Sequence, residues 1–299
     1  MWKLFAIALL ALPLAPGPGR PVIATAVDES SPSAGPGWIA WTRGSTPAPV
    51  IVLKLGEVEL RDASGRTRRV GPPGVLGAAG GGDAHTLAIQ QVRGGASDLK
   101  LVDVATGRLR EPPPGVNTRD WEWRGEVFGR WLLLGRIDFG RPVYRVILHD
   151  LESGRERVLA AVSGHGAYAE PGQLNGRYAV WAACPDNACT LYRLRLGGRR
   201  PLRVPGPLYG AAAYAPSVTR TGVVYYAQGL LGCGRQVRIM RFAPGRTPRV
   251  VATLAPGYDL RFTYAAGTRI LYDRVRCSTG RSDIYAVSPP STGITAPVR

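Results

Sequence analysis

Reactive side chains are sparse in this 299-residue chain. Three histidines (His85, His149, His165) and four cysteines (Cys184, Cys189, Cys233, Cys277) lie among scattered carboxylates. One polar candidate stretch is Ser163-Gly-His165-Gly-Ala-Tyr168-Ala-Glu170. Asp120 precedes Trp121, Arg136 and Asp138 share a loop, and Tyr258 precedes Asp259. A histidine flanked by two carboxylates could exchange protons with a substrate. The same residue types also cap turns and pair with arginine. The aromatics Trp121, Trp123, Tyr168, Tyr209, Tyr214 and Tyr258 could stack on a sugar ring or pack inside the fold.

Motifs that would decide for catalysis are missing from the sequence. It contains no Gly-x-Ser-x-Gly elbow, no His-Glu-x-x-His and no calcium loop. Val75-Leu-Gly-Ala-Ala-Gly-Gly-Gly82 is glycine-rich, but it lacks the Gly-Lys-Ser/Thr ending and leads into a strand, whereas a phosphate loop opens a helix. The one close cysteine pair is Cys-x4-Cys and the histidines lie far from it, so no metal is expected. No catalytic residue and no cofactor is assigned. The candidate ligand-binding residues are His165, Tyr168, Glu170, Asp120, Trp121, Arg136, Asp138, Tyr258 and Asp259.

The elements that must position these residues repeat. A short apolar block starts at Trp38, Thr86, Trp131, Tyr178, Val223 and Ile270, at intervals of 48, 45, 47, 45 and 47 residues. Each block reads as a buried strand, rich in β-branched and aromatic residues. After each comes an alternating stretch, mostly ending in glycine, as in Leu99-Lys-Leu-Val-Asp103 to Gly107 and Tyr144 to Gly154. A weaker strand precedes each block, as in Asp120 to Glu126, and another follows each glycine turn, as in Arg157 to Val162. Glycine (39) and proline (26) suit many turns and few helices. Four strands in about 45 residues, six times over, predict an all-β, six-bladed β-propeller of four-stranded antiparallel blades. The blades fall near 27–71, 72–115, 116–163, 164–206, 207–255 and 256–299. The last blade takes its fourth strand either from Ile294 to Val298 or from the chain near residues 22–28.

Asp283-Ile-Tyr285, Asp98 to Asp103 and Leu148-His-Asp-Leu-Glu-Ser-Gly154 resemble the TolB-like, WD40-like propellers of exported bacterial proteins. The family's Ser-Pro-Asp-Gly turn is replaced here by Asn175-Gly-Arg177 or Thr221-Gly222. The resemblance spans about residues 28–299 and implies the fold, not a function.

An apolar run from Leu4 to Leu14 follows Lys3, as in a secretory signal, and is too short to span a bilayer. Ala24-Thr-Ala26 is a cleavage motif, so the domains expected are a signal peptide over 1–26 and the propeller over 27–299. Cleavage nearer Ala15 is the alternative. The protein is then secreted, periplasmic or held in the cell envelope, without a transmembrane segment after cleavage. The even cysteine count suits disulfides in such a compartment. Cys184–Cys189 would close one hairpin loop, and Cys233–Cys277 would staple neighbouring blades.

Formal net charge is +17, carried almost wholly by arginine spread along the chain. That favours anionic partners mildly, and export argues against a nucleic acid. Loop lengths distinguish the two ends of the fold. The turns joining first to second and third to fourth strands are short; the second-to-third and inter-blade loops are longer. All nine candidates and all four cysteines fall toward the long-loop end, where function concentrates. The expected function is a monomeric, non-catalytic binding or interaction scaffold whose partner is a protein or anionic ligand of the envelope, met through its long-loop face. The alternative is a hydrolase or lyase acting on a polysaccharide or lactone at the channel mouth.

Overall fold

The computed structural model describes residues 19–47, 54–186, 189–206, 212–229 and 236–289. In them every regular element is a strand, so no helix is long and apolar enough to cross a membrane. After β1 (Arg20–Ile23) the strands form antiparallel meanders. The first holds β2 (Glu29–Gly35), β3 (Trp38–Pro47), β4 (Lys54–Asp62) and β5 (Thr67–Val70). The second holds β6 (Leu76–Gly82), β7 (Thr86–Arg93), β8 (Ala96–Asp103) and β9 (Leu109–Arg110). The third holds β10 (Trp121–Phe128), β11 (Trp131–Asp138), β12 (Val143–Asp150) and β13 (Glu156–Ser163). The fourth holds β14 (Tyr168–Asn175), β15 (Tyr178–Cys184), β16 (Thr190–Arg195) and β17 (Leu202–Val204). The fifth holds β18 (Ala212–Val218), β19 (Val224–Gly229), β20 (Arg238–Phe242) and β21 (Arg249–Thr253). Last come β22 (Tyr258–Ala266), β23 (Arg269–Arg276) and β24 (Ser282–Val287).

The final meander takes its fourth strand from the other end of the chain. β1 pairs antiparallel with β24, Arg20 opposite Ala286 and Ile23 opposite Ile284. The expected domain start at Val27 leaves this strand out, whereas the sheet includes it. Ile294 to Val298 lies outside the described residues. A polar clasp reinforces the junction. Asp28 accepts the Ser282 N–H at 2.7 Å and its hydroxyl at 2.6 Å, and it pairs with buried Lys54, which also donates to Gly280 O at 2.7 Å.

The apolar blocks form the second strands, and they are apolar throughout because both faces are covered. Leu132, Leu133 and Leu134 of β11 are all fully buried. Leu132 and Leu134 pack toward the second meander, Leu133 toward the fourth. Every further hydrophobic cluster but one likewise joins two consecutive meanders, and Ile23, Trp41 and Ile284 join the last to the first. The first strands touch in cyclic order: β2, β6, β10, β14, β18, β22 and back to β2. Among the described residues no hydrogen-bonded sheet closes on itself.

Candidate functional site

All six first strands carry the same defect. Their register against the second strand slips by one residue, between Ser30 and Ser33, Ala79 and Gly82, Trp123 and Glu126, Pro171 and Leu174, Tyr214 and Ser217, and Leu260 and Thr263. A bulge of this kind leaves an extra residue unpaired and re-aims its side chain. At Arg124 the backbone takes a φ of 47°. The Arg124 guanidinium, almost completely buried, ion-pairs with Glu170 and lies 4.4 Å from the centre of the Phe262 ring.

These bulges surround a buried polar cluster. Asp273, opposite the bulge of β22, accepts both freed amides, from Arg261 at 2.9 Å and from Phe262 at 2.7 Å. Ser217 and Thr263 share a hydrogen bond of 2.9 Å, and Thr263 donates to Ala215 O at 2.6 Å. Glu126 lies against Gly81, where any Cβ would overlap its carboxylate. Burial pushes the Glu126 carboxyl up to about 8, against the pull of Arg124 and of hydrogen bonds from Leu174 N–H and Tyr264. Burial also raises Glu170 and Asp273, and the Asp273 carboxylate adds to the difficulty of ionising Glu170.

A concavity opens at the short-turn end. A cavity of about 730 Å³ is lined by residues at or beside the first-to-second turn of every meander, among them Gly37, Asp83, Phe128, Asn175, Arg220 and Gly267. Gln173 and Tyr264 also line it, along with Trp38, Arg61 and Arg269. Its carboxylates are already engaged. Asp62 accepts from Ser64 and from the Arg66 N–H, and the Ser64 hydroxyl helps hold it below the usual carboxylate range. Asp83 accepts the amides of His85, Thr86 and Gly129. Its cations are not neutralised in this way: among the described residues no carboxylate lies within ion-pair distance of Arg61, Arg220 or Arg269. Arg220 sits 5.8 Å over the Phe128 ring, and Arg61 lies 5.3 Å over Trp41.

The nine candidates read from the sequence are dispersed. Arg136 is a structural clasp, buried in β11. It pairs with Glu122 and Glu156 at 2.9 Å each and donates to the carbonyls of Gly115 and Val116. Asp138 caps its own turn through the amides of Gly140 and Arg141. Asp120 faces Arg145 at 3.7 Å, and Trp121 packs on exposed Phe139 with ring centres 5.2 Å apart. His165 is exposed in the turn before β14, whereas Glu170 is buried against Arg124, so the fold does not bring them together. Tyr168 reaches Cys189 Sγ at 3.0 Å. Asp259 accepts from Tyr214 at 3.3 Å, and Tyr258 lies 4.3 Å from Arg274. Cys184 and Cys189 form a disulfide, and Cys277 is also disulfide-bonded; Cys233 lies outside the described residues, as does Tyr209. No cluster of His, Cys, Asp or Glu suited to a metal occurs among the described residues.

Sequence reasoning missed the cavity residues Trp38, Phe128, Arg61, Arg220 and Arg269. Loop length pointed to the other end.

No family model and no curated protein matches the chain. Solved structures do. A putative TolB from Agrobacterium tumefaciens superposes with a TM-score of 0.59 at 14% identity, over 89% of this chain and 92% of that one. TolB from Acinetobacter baumannii gives 0.53 at 14% identity, over 84% of this chain and 64% of that one. The acylaminoacyl peptidase of Pyrococcus horikoshii gives 0.50 at 10% identity, over 88% of this chain and 51% of that one. At such identities the likeness concerns the fold alone, and in fold the chain is a TolB-like β-propeller.

Proposed function

We propose that this chain is an exported six-bladed propeller that acts by binding, and that its ligand or partner presents an anionic group to the axial cavity at the short-turn end. The six-bladed reading is supported by the cyclic contacts of the first strands and by the cluster joining last meander to first. The export reading is supported by the Lys3–Leu14 pattern and by the Cys184–Cys189 disulfide. Because β1 precedes Ala26, removal of a leader nearer Ala15 fits the sheet better than removal after Ala26.

One observation carries the binding reading: Arg61, Arg220 and Arg269 line a roomy cavity beside Trp38 and Phe128, while the neighbouring carboxylates are taken up by turn amides. Arginine suits carboxylate and phosphate recognition because its fork donates two parallel hydrogen bonds. Calorimetric titration with phosphate, citrate and oligogalacturonate tests this. Binding of at least one anion by the native protein, and its loss in an Arg220→Ala, Arg269→Ala variant, is expected. Failure of every anion to bind would refute the reading.

A further inference from the structure

The third-to-fourth turns repeat more than their geometry requires. Five of them read Gly-Arg: Gly65-Arg66, Gly107-Arg108, Gly154-Arg155, Gly198-Arg199 and Gly245-Arg246. The glycine has a local reason. Gly65, Gly107, Gly154 and Gly245 take φ values of 85°, 75°, 70° and 73°, which favour a residue without Cβ. The arginine has none. The side chains of Arg66, Arg108, Arg155 and Arg246 are exposed and make no ion pair or hydrogen bond among the described residues.

In a four-stranded meander these turns lie at the same end as the first-to-second turns, which carry Arg130, Arg177 and Arg220. Among the described turn residues at this end the carboxylates are Asp83 and Glu152. The third-strand ends Asp62, Asp103 and Asp150 direct their carboxylates to turn amides. The opposite end is nearly balanced: its described loops hold Arg119, Arg141 and Arg281 against Asp28, Glu111, Asp120 and Asp186. The molecule therefore has one strongly cationic end.

The placement of these cations selects the occupant. Cations spread across the tips of successive meanders match an extended anionic surface better than a compact ligand.

We infer that the short-turn end docks on an anionic lipid bilayer, with the Gly-Arg turns contacting phosphate headgroups. Basic side chains close to such a surface each add to binding, and salt screens the effect. The inference does not depend on the cavity, because Arg66, Arg108, Arg155 and Arg246 do not line it.

The test is co-sedimentation of the full chain with two vesicle types, one of phosphatidylcholine and one of equal parts phosphatidylcholine and phosphatidylglycerol. The readout is the gain in binding from the first to the second, which removes any binding to neutral lipid. A variant with Arg66→Glu, Arg108→Glu, Arg155→Glu and Arg246→Glu is compared with one matched in charge at the other end, carrying Arg93→Glu, Arg119→Glu, Arg141→Glu and Arg276→Glu. The first is expected to lose the gain by roughly tenfold or more, and the second to keep most of it. Should the first fail to fold, glutamine at the same four positions reads the same contrast. Equal losses in the two sets, or no gain with phosphatidylglycerol in the native protein, would overturn the inference. So would capture by a soluble polyanion such as heparin without any capture by vesicles.

Discussion

The Gln173 carboxamide and the backbone of Ala265 exchange two hydrogen bonds across 92 residues: Nε2 donates to Ala265 O at 3.0 Å, and Oε1 accepts the Ala265 N–H at 2.9 Å. Oε1 also accepts the Val218 N–H at 3.1 Å. One side chain thus does for β14, β18 and β22 what a ladder would do between paired strands. Gln173→Leu leaves two amides and a carbonyl buried without partners. A stability loss of about 2–4 kcal/mol is expected in urea unfolding. A loss under about 1 kcal/mol would show that water satisfies these groups and that the bridge is incidental.

Arg136 provides a second test of structure against site. Removing its guanidinium strands Glu122, whose carboxyl burial already raises, together with the carbonyls of Gly115 and Val116. Arg136→Ala is expected to cost about 3–5 kcal/mol. Arg136→Lys should recover part of it, because an ammonium cannot serve Glu122, Glu156 and two carbonyls at once. Anion binding at the cavity should be unaffected when measured below the unfolding transition. A stable Arg136→Ala protein that had lost a ligand would return this residue to the binding site.

Glu126 makes stability fall as pH rises. Its carboxyl is held up to about 8 in the fold, well above its unfolded value near 4.5. The unfolded chain therefore releases this proton first. The contribution is fully present below pH 4.5, declines by about 1.4 kcal/mol per pH unit through the window up to 8, and stays lost above it. Glu126→Gln mimics the protonated acid. Its melting temperature should match the native protein at pH 4 and exceed it at pH 8. Parallel pH profiles for the two proteins would show that Glu126 keeps its charge inside the fold.

β1 makes the position of the mature N-terminus a structural matter. Intact-mass analysis of the protein recovered from its native compartment is expected to find a chain that retains Arg20–Ile23. A chain beginning at Val27 loses the pairing with β24 and exposes the edge that Ile23 and Ile284 help bury. Its melting temperature should be lower, and it should aggregate through that open edge. An equally stable chain starting at Val27 would make β1 dispensable.

The sequence alone determined the local architecture. Apolar blocks at a steady spacing read as buried strands, and glycine after most third strands marked the turns, because periodicity and turn chemistry are local properties. The hairpin disulfide of Cys184 and Cys189 was legible for the same reason. Tertiary structure decided what depends on residues far apart in the chain. It set which terminus completes the last meander, since both had suitable segments. It made Arg136 a clasp, because Glu122 of β10 and Glu156 of β13 converge on it. It gathered Arg124, Glu170 and Asp273 around bulges that no spacing announces. It also opened the cavity at the short-turn end: cavity volume comes from how six turns meet around an axis, and loop length does not measure that.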